Sequence, residues 1–447
     1  MISVEPSRFA RRVGIPVQRF ISTEAASGAI LMTAVIAALL WANSPWAASY
    51  HALWAAPVAV TVGSLAIDKP LLLWVNDGLM AIFFFVVGLE IKRELLHGEL
   101  SSPRAAALPI AAAIGGMIAP AVIYVAINGF GETARGWAVP MATDIALALG
   151  VLALLGRRAP TELRVFLLAL AIVDDLGAIA VIALFYTEAL SLQALLVAAG
   201  LFGLIALGVR AGMRSTFVYL VLAVVFWVAI LKSGVHATIA GVLLAMVVPA
   251  SAKIAPDRLA EAIGAVLDRL EKPAGEPKEA IGTVGRLLPL AEAPLERLER
   301  LLHPWVSYLV VPIFALANAG VVISGEALTD AATSTITLGV AAGLLLGKPL
   351  GILGASAIMV RLGLAVLPHR VRWVQLAGAG VLAGIGFTVA LFIDELAFVL
   401  PEQEDLGKVG ILAASVVAGI AGYLLLRLTT ASPPRRSAVE PIVPAKS

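Results

Sequence analysis

The chain has 447 residues, a net charge of +2 and a mean hydropathy of +0.97, with 60% apolar residues and only 14% charged. Soluble domains carry about 25% charge and cannot hide so much apolar surface, so the solvent of this chain is lipid. The absence of cysteine excludes disulfide scaffolds, iron–sulfur clusters and thiol chemistry, and the near balance of charge gives no reason to expect a nucleic-acid partner.

Residues 1–24 read as a cytoplasmic N-terminal segment, and residues 25–427 as an all-α, polytopic membrane domain. Apolar runs predict twelve spans, at about 25–43, 71–91, 105–128, 137–156, 165–187, 192–209, 216–231, 235–250, 304–322, 334–359, 374–398 and 409–427. Most are long enough to cross a hydrocarbon core of about 30 Å. The first is too long for a signal-peptide core and is read as retained. Only Lys232-Ser233-Gly234 divides 216–231 from 235–250, which read either as two half-length helices or as a miscounted pair. With the N-terminus inside, 27 of the 32 Lys and Arg fall on the cytoplasmic side and four on the other, with Lys348 inside a span. That asymmetry predicts cytoplasmic termini.

Three segments are expected outside the bilayer. Residues 57–70 alternate around Gly63-Ser64 and predict an outer-face hairpin. Residues 251–303 form a charged cytoplasmic insert, in which Leu259, Ile263, Val266, Leu267 and Leu270 recur at helical spacing before Pro273. The end of the chain, 428–447, is expected to be a disordered cytoplasmic tail.

Four charges stand deep inside predicted spans: Asp144, Asp174, Asp175 and Lys348. Each costs about 2.5–3.5 kcal/mol at mid-bilayer, so each calls for a reason. At 1.5 Å per residue, Asp144 lies about 10 Å into its span and the Asp174-Asp175 pair about 15 Å, close to the midplane. Three acids and one base cannot neutralise one another pairwise. Two adjacent carboxylates in low dielectric cannot both ionise cheaply. A hard monovalent cation held by their oxygens would displace protons, and such competition is the minimum that exchange requires.

Asp144 closes Pro140-Met141-Ala142-Thr143-Asp144, where the proline removes a backbone donor and the Thr143 hydroxyl and Asp144 carboxylate offer ion ligands. A second interruption, Ala383-Gly384-Ile385-Gly386-Phe387-Thr388, falls in the eleventh predicted span, seven after the first. Paired interruptions of this kind predict inverted-topology repeats with two broken helices crossing at the site. The glycines Gly384 and Gly386 also suit close helix packing alone. Lys348, in Gly347-Lys348-Pro349, can balance an aspartate or the negative ends of broken helices, or carry a proton itself. Near the cytoplasmic end of the second span, Glu90 and Glu94 share a helix face with Arg93 beside them, and Glu299 and His303 fall on the same side. His236 stands near a further break, Ser233-Gly234-Val235-His236.

Nine motifs occur in order: Asn76-Asp77, Phe83–Glu94 (FFFVVGLEIKRE), Ala142–Leu155 (ATDIALALGVLALL), Leu170–Thr187 (LAIVDDLGAIAVIALFYT), Leu231–Gly241 (LKSGVHATIAG), His303–Trp305, Phe314–Gly320 (FALANAG), Gly347–Ile352 (GKPLGI) and Gly384–Thr388 (GIGFT). Together they resemble the NhaA family of bacterial sodium/proton antiporters. The resemblance implies a pH-regulated, electrogenic exporter of Na⁺ or Li⁺ in exchange for a larger number of protons, working by alternating access in the inner membrane. It implies no cofactor, a homodimer joined through the outer-face hairpin, and lipid as surroundings. By resemblance, Asp175 is the main Na⁺ ligand, and Asp174 is its neighbour, a proton carrier and partner of Lys348. Thr143 and Asp144 compensate the broken-helix ends and help to coordinate the ion, and Lys348 faces the opposing negative ends. Glu90, Arg93, Glu94, Glu299 and His303 match a pH-activation cluster, His236 a histidine that affects pH response, and Asp77 an aspartate outside the ion site. Two features depart from the family pattern: Arg300 stands where a histidine is frequent, and the 255–295 insert is long.

Two other classes compete with this reading. An intramembrane aspartyl protease would place two acids around a shared proton, but needs Tyr-Asp and Gly-x-Gly-Asp where this chain has Thr143-Asp144 and Val173-Asp174. A sodium-coupled solute symporter would share the broken helices and differ in requiring a solute.

Overall fold

The computed structural model describes residues 24–63, 65–187, 190–212, 216–252, 259–261, 263–266 and 292–430. The expected N-terminal segment up to residue 23, the tail from residue 431, and most of the insert, including Leu267 and Leu270 of its amphipathic helix, lie outside the described residues.

The chain begins with α1 (Glu24–Ala42) and α2 (Ala47–Ala55), which meet at 112° across Asn43-Ser44-Pro45-Trp46. The second helix was not anticipated from the sequence. Strands β1 (Pro57–Val62) and β2 (Leu65–Pro70) pair antiparallel with Pro57 opposite Pro70, and Gly63 takes the positive φ, 61°, that the tight turn requires. Lys69 and Asp77 form an ion pair at 2.7 Å, and Trp74 Nε1 donates to the Val58 carbonyl at 2.9 Å, so the hairpin is tied to the helix that follows.

That helix is α3 (Leu71–His97), followed by α4 (Pro103–Asn128). A 3₁₀ stretch, Glu132–Met141, leads through extended residues to α5 (Ile145–Leu154), bent by 41°. Then come α6 (Thr161–Phe185), α7 (Leu192–Arg210), α8 (Thr216–Lys232) and α9 (Thr238–Val247). After the insert run α10 (Pro294–Asn318), the short α11 (Gly325–Thr333), α12 (Thr335–Arg361), α13 (Trp373–Leu382), α14 (Phe387–Ala397) and α15 (Pro401–Thr429). The break between α13 and α14 bends the chain by 49°.

Among the described residues, seven helices are long and apolar enough to cross a membrane, or up to ten if each bent pair is one span. The shorter α8 and α9 stand where two short runs were expected. Many large apolar side chains remain on the outside, such as Ile36, Leu40, Leu184 and Leu207, as befits a surface solvated by lipid tails. The chain is an all-helical, polytopic membrane protein apart from the hairpin.

Helices α6 and α12 are among the most enclosed, while α7 packs with α8 and α9 in a small satellite core around Ile205, Phe226 and Ile230. One close approach sets the centre. A Cβ on Gly115 of α4 would stand 2.3 Å from the Gly351 carbonyl, and one on Gly351 of α12 would stand 2.0 Å from that of Gly115. Only paired glycines allow such backbone contact. Beside this crossing α12 widens into a π-turn, Gly343–Gly347, directly before Lys348.

Candidate ion site at the crossing of the broken helices

The two interruptions touch. Asp144 N–H donates to the Ile385 carbonyl at 2.6 Å, and the Thr143 hydroxyl donates to the Ala383 carbonyl at 2.8 Å. Asp144 was expected well inside a helix. It stands instead on extended backbone as the N-cap of α5, because the turn ends at Met141, just past Pro140, and helix resumes only at Ile145. Its Oδ1 accepts from Leu147 N–H at 2.9 Å, while Oδ2 accepts from the Thr388 N–H at 3.2 Å and hydroxyl at 2.7 Å. One carboxylate thus caps the first turns of both α5 and α14, whose orphan N–H groups carry partial positive charge. Thr143 serves a carbonyl at the end of α13.

Gly384 and Gly386 hold this arrangement against α12. A Cβ on Gly384 would lie 2.5 Å from the Leu344 carbonyl, and one on Gly386 would lie 2.9 Å from the Leu344 side chain. Pro140 packs against Gly343 of the same π-turn. These glycines therefore serve close packing and the broken helix together.

Asp174 and Asp175 come from the middle of α6, and Lys348 from α12 just past its π-turn. Lys348 Nζ lies 2.5 Å from Asp174 Oδ2, with both side chains fully enclosed. Asp174 also neighbours Thr143, and Asp175 senses Asp174, Glu90, Asp144 and Lys348 electrostatically. Asp174 Oδ1 and Asp175 Oδ1 are buried without a hydrogen-bond partner. Buried oxygens of this kind are rare in folded proteins and need an explanation. With all three acids ionised, Lys348 leaves the site net negative. A cation or protons must complete it.

Toward the other end of α3, Arg93 pairs with Glu299 of α10, and Glu90 Oε1 lies 3.9 Å from His303 Nε2. Glu94 turns away to accept from the Glu99 N–H at 3.0 Å. Arg300 pairs with Glu292 at 2.8 Å. His236 is not brought to this group: its Nε2 stands 2.5 Å from the Tyr186 carbonyl, just past α6.

Several groups escaped the sequence reading. Thr388 was seen as part of a glycine motif and not as the partner of Asp144. Asn76 and Asn318 form a buried amide pair at 2.8 Å, linking α3 to α10. Asp394 of α14 is fully buried and is not among the four charges placed deep inside the predicted spans. Its signal is available in the sequence, because Asp394-Glu395 lies in the run 374–398, close to its end.

Comparison with known proteins follows the same lines. A family profile described as Na⁺/H⁺ antiporter 1 matches residues 18–426. The Na⁺/H⁺ antiporter NhaA of Oleidesulfovibrio alaskensis is 52% identical over 422 residues, covering 92% of this chain and 94% of that protein. The Na⁺/H⁺ antiporter NhaA 2 of Sorangium cellulosum is 48% identical over 429 residues, with 94% and 91% covered. The NhaA of Serratia proteamaculans is 48% identical over 416 residues, with 92% and 98% covered.

Proposed function

This chain belongs to the Na⁺/H⁺ antiporter 1 family and is a sodium/proton antiporter, and from that premise we propose how its own residues perform the exchange. The paired acids Asp174 and Asp175 are the shared site for which Na⁺ and protons compete. Asp175 supplies the main ligand oxygen, and the free Oδ1 of Asp174 and the oxygens of Thr143 and Asp144 complete the shell. Lithium, smaller, harder and also monovalent, uses the same oxygens. Lys348 holds Asp174 when no metal ion is present, and an arriving Na⁺ weakens that pair by placing a second positive charge beside it in low dielectric. One proton then departs from the Lys348–Asp174 pair and another from Asp175, so that more than one proton is exchanged per Na⁺, and the reverse order of events reloads them.

The broken helices make the exchange possible without a large energetic penalty. Asp144 neutralises two converging helix N-termini, so the crossing is polar yet satisfied apart from the ion-facing oxygens. Rocking one bundle against the other about this crossing exposes the acids to each face in turn. The chain works in the bacterial inner membrane, with twelve spans arranged as inverted repeats and both termini in the cytoplasm. It exports Na⁺ or Li⁺ against a larger number of entering protons and is therefore electrogenic. Glu90, Arg93, Glu94, Glu299 and His303 govern its response to pH, with His236 acting separately near Tyr186. Homodimers form through the hairpin of β1 and β2.

The observation that carries this reading is the enclosed Lys348–Asp174 pair beside two unpartnered carboxylate oxygens. Purified protein in sealed liposomes with a preset pH gradient tests it. Added NaCl should collapse the gradient, KCl and choline chloride should not, and Asp175→Asn should abolish the response while remaining folded. Sodium-driven proton flux retained by Asp175→Asn would remove the site from the paired acids.

A further inference from the structure

Away from the crossing, α14 carries a second buried acid. Asp394 is fully enclosed, and neither of its carboxylate oxygens has a hydrogen-bond partner. The nearby donors are already engaged. Lys408 of α15 pairs with Glu404 at 2.5 Å. The Tyr124 hydroxyl of α4 donates to the Thr133 carbonyl at 2.8 Å, and the Tyr186 hydroxyl donates to the Arg135 carbonyl at 2.6 Å. Asp405 of α15 and Glu395 on α14 itself are the remaining charged neighbours. Glu395 leans on Asn76, and its Oε2 is also buried without a partner.

The carboxyl has a shaped seat. A Cβ on Gly407 of α15 would stand only 1.8 Å from Asp394 Oδ1, so this acid fits because α15 has no side chain at that point. An apolar residue would fill the seat without the cost of an unpaired polar group. Acids retained inside membrane spans mark ion or proton pathways by default. The position fits a pathway as well. Asp394 follows Thr388, the partner of Asp144, by six residues on one helix, or about 9 Å along the axis. On its other side, the first turns of α15 carry exposed Glu402 and Asp405 and half-buried Glu404.

We propose that Asp394 is a proton-carrying carboxyl of the transport cycle, a station between the broken-helix crossing and the acidic rim of α15. It rests on the antiport reading above. Its occupant is a proton because a metal ion needs several oxygen ligands at once, and among the described residues no group of three or more acids or histidines is placed to hold a metal ion. A proton needs one oxygen. The step changes only O–H bonds: the carboxyl releases its proton, by way of water, to a carboxylate of the Asp174–Asp175 pair, becomes a carboxylate itself, and takes the next proton from water or a carboxyl at the rim. The partnerless seat offers no hydrogen bond that would hold either form, and Lys408, shared with Glu404, is the nearby cation that the transient carboxylate feels.

The test uses the full-length protein in liposomes and two transport modes. Sodium-driven proton flux requires proton delivery, whereas exchange of radioactive Na⁺ for Na⁺ at equal pH moves no net proton. Asp394→Asn keeps the shape of the side chain and removes its proton site. We expect proton flux to fall at least about tenfold, below the ~10²–10⁴ that a positioned proton-transfer group can supply, with Na⁺/Na⁺ exchange unchanged and Asp394→Glu restoring flux. In infrared difference spectra, the protonated-carboxyl band that responds to added Na⁺ should lose a component in Asp394→Asn. If both modes are unchanged the acid is a passive neutral filler, and if both fall together its role is structural; either result overturns the proposal. A wild type without sodium-driven proton flux would instead overturn the antiport reading itself, and a wild type that fluxes protons isolates the question to Asp394.

Discussion

The Asp144 carboxylate accepts both the backbone N–H and the hydroxyl of Thr388 through the same oxygen, Oδ2, and this joins two interruptions that lie 244 residues apart in the chain. Asp144→Ala strips the cap from α5 and α14 together. The expected loss is about 0.5–2 kcal/mol for each helix end. Asp144→Asn keeps one acceptor oxygen and one of the two caps, so it should recover about half of the lost stability, and on the proposed mechanism little transport, because it removes the negative charge at the crossing. Thermal unfolding in detergent beside transport assays separates the two effects. A fully stable Asp144→Ala would mean that water caps these ends unaided.

Lys348 and Asp174 form an enclosed pair, so removing either partner alone leaves a buried charge. Lys348→Ala should cost about 3–5 kcal/mol. The double variant Lys348→Met with Asp174→Asn should regain most of that loss, giving a coupling energy well above the ~0.5 kcal/mol expected of independent sites. It should still fail to exchange sodium for protons. Additive losses would show that the two side chains do not depend on each other.

The glycine contact between α4 and α12 is a steric prediction. Gly351→Ala places a methyl where only 2.0 Å separates it from backbone, which should cost about 1–3 kcal/mol by forcing the helices apart and shift Lys348 away from Asp174. Gly354, on the same helix, has nothing within 4 Å of such a methyl. Gly354→Ala is therefore the control and should be neutral or slightly stabilising. Equal behaviour of the two variants would refute the packing account.

Arg93 and Glu299 connect α3 to α10 where the structure is partly open to solvent. Breaking such a pair should change stability by only about 0.2–1 kcal/mol. Arg93→Ala and Glu299→Gln are nevertheless expected to alter the pH profile of transport, since Glu90, a neighbour of this pair, also acts electrostatically on Asp175. The exchanged pair, Arg93→Glu with Glu299→Arg, should restore the profile. A pH profile identical to wild type in both single variants would detach this group from regulation.

Composition alone made the solvent of this protein lipid, and hydropathy placed most of the helices. The cost of charge in hydrocarbon singled out Asp144, Asp174, Asp175 and Lys348 before any geometry was known, because that cost depends on residue type and depth and not on neighbours. The breaks at Pro140 and at Gly384-Ile385-Gly386 were legible for a similar reason: proline and glycine act on the local backbone. What residue types and depth left invisible was most relations between distant segments; the pairing of Lys348 with Asp174 came only from the family resemblance. That one carboxylate caps two helices and that Asn76 meets Asn318 depend on which faces the helices turn to one another. Asp394 illustrates the limit most clearly. In sequence it sits near the end of an apolar run and resembles an interfacial acid; only the packing of α14 against Gly407 of α15 encloses it. Depth along a span can be read from residue counts, but burial and partnership are set by the neighbouring helices, and those are fixed only when the chain is folded.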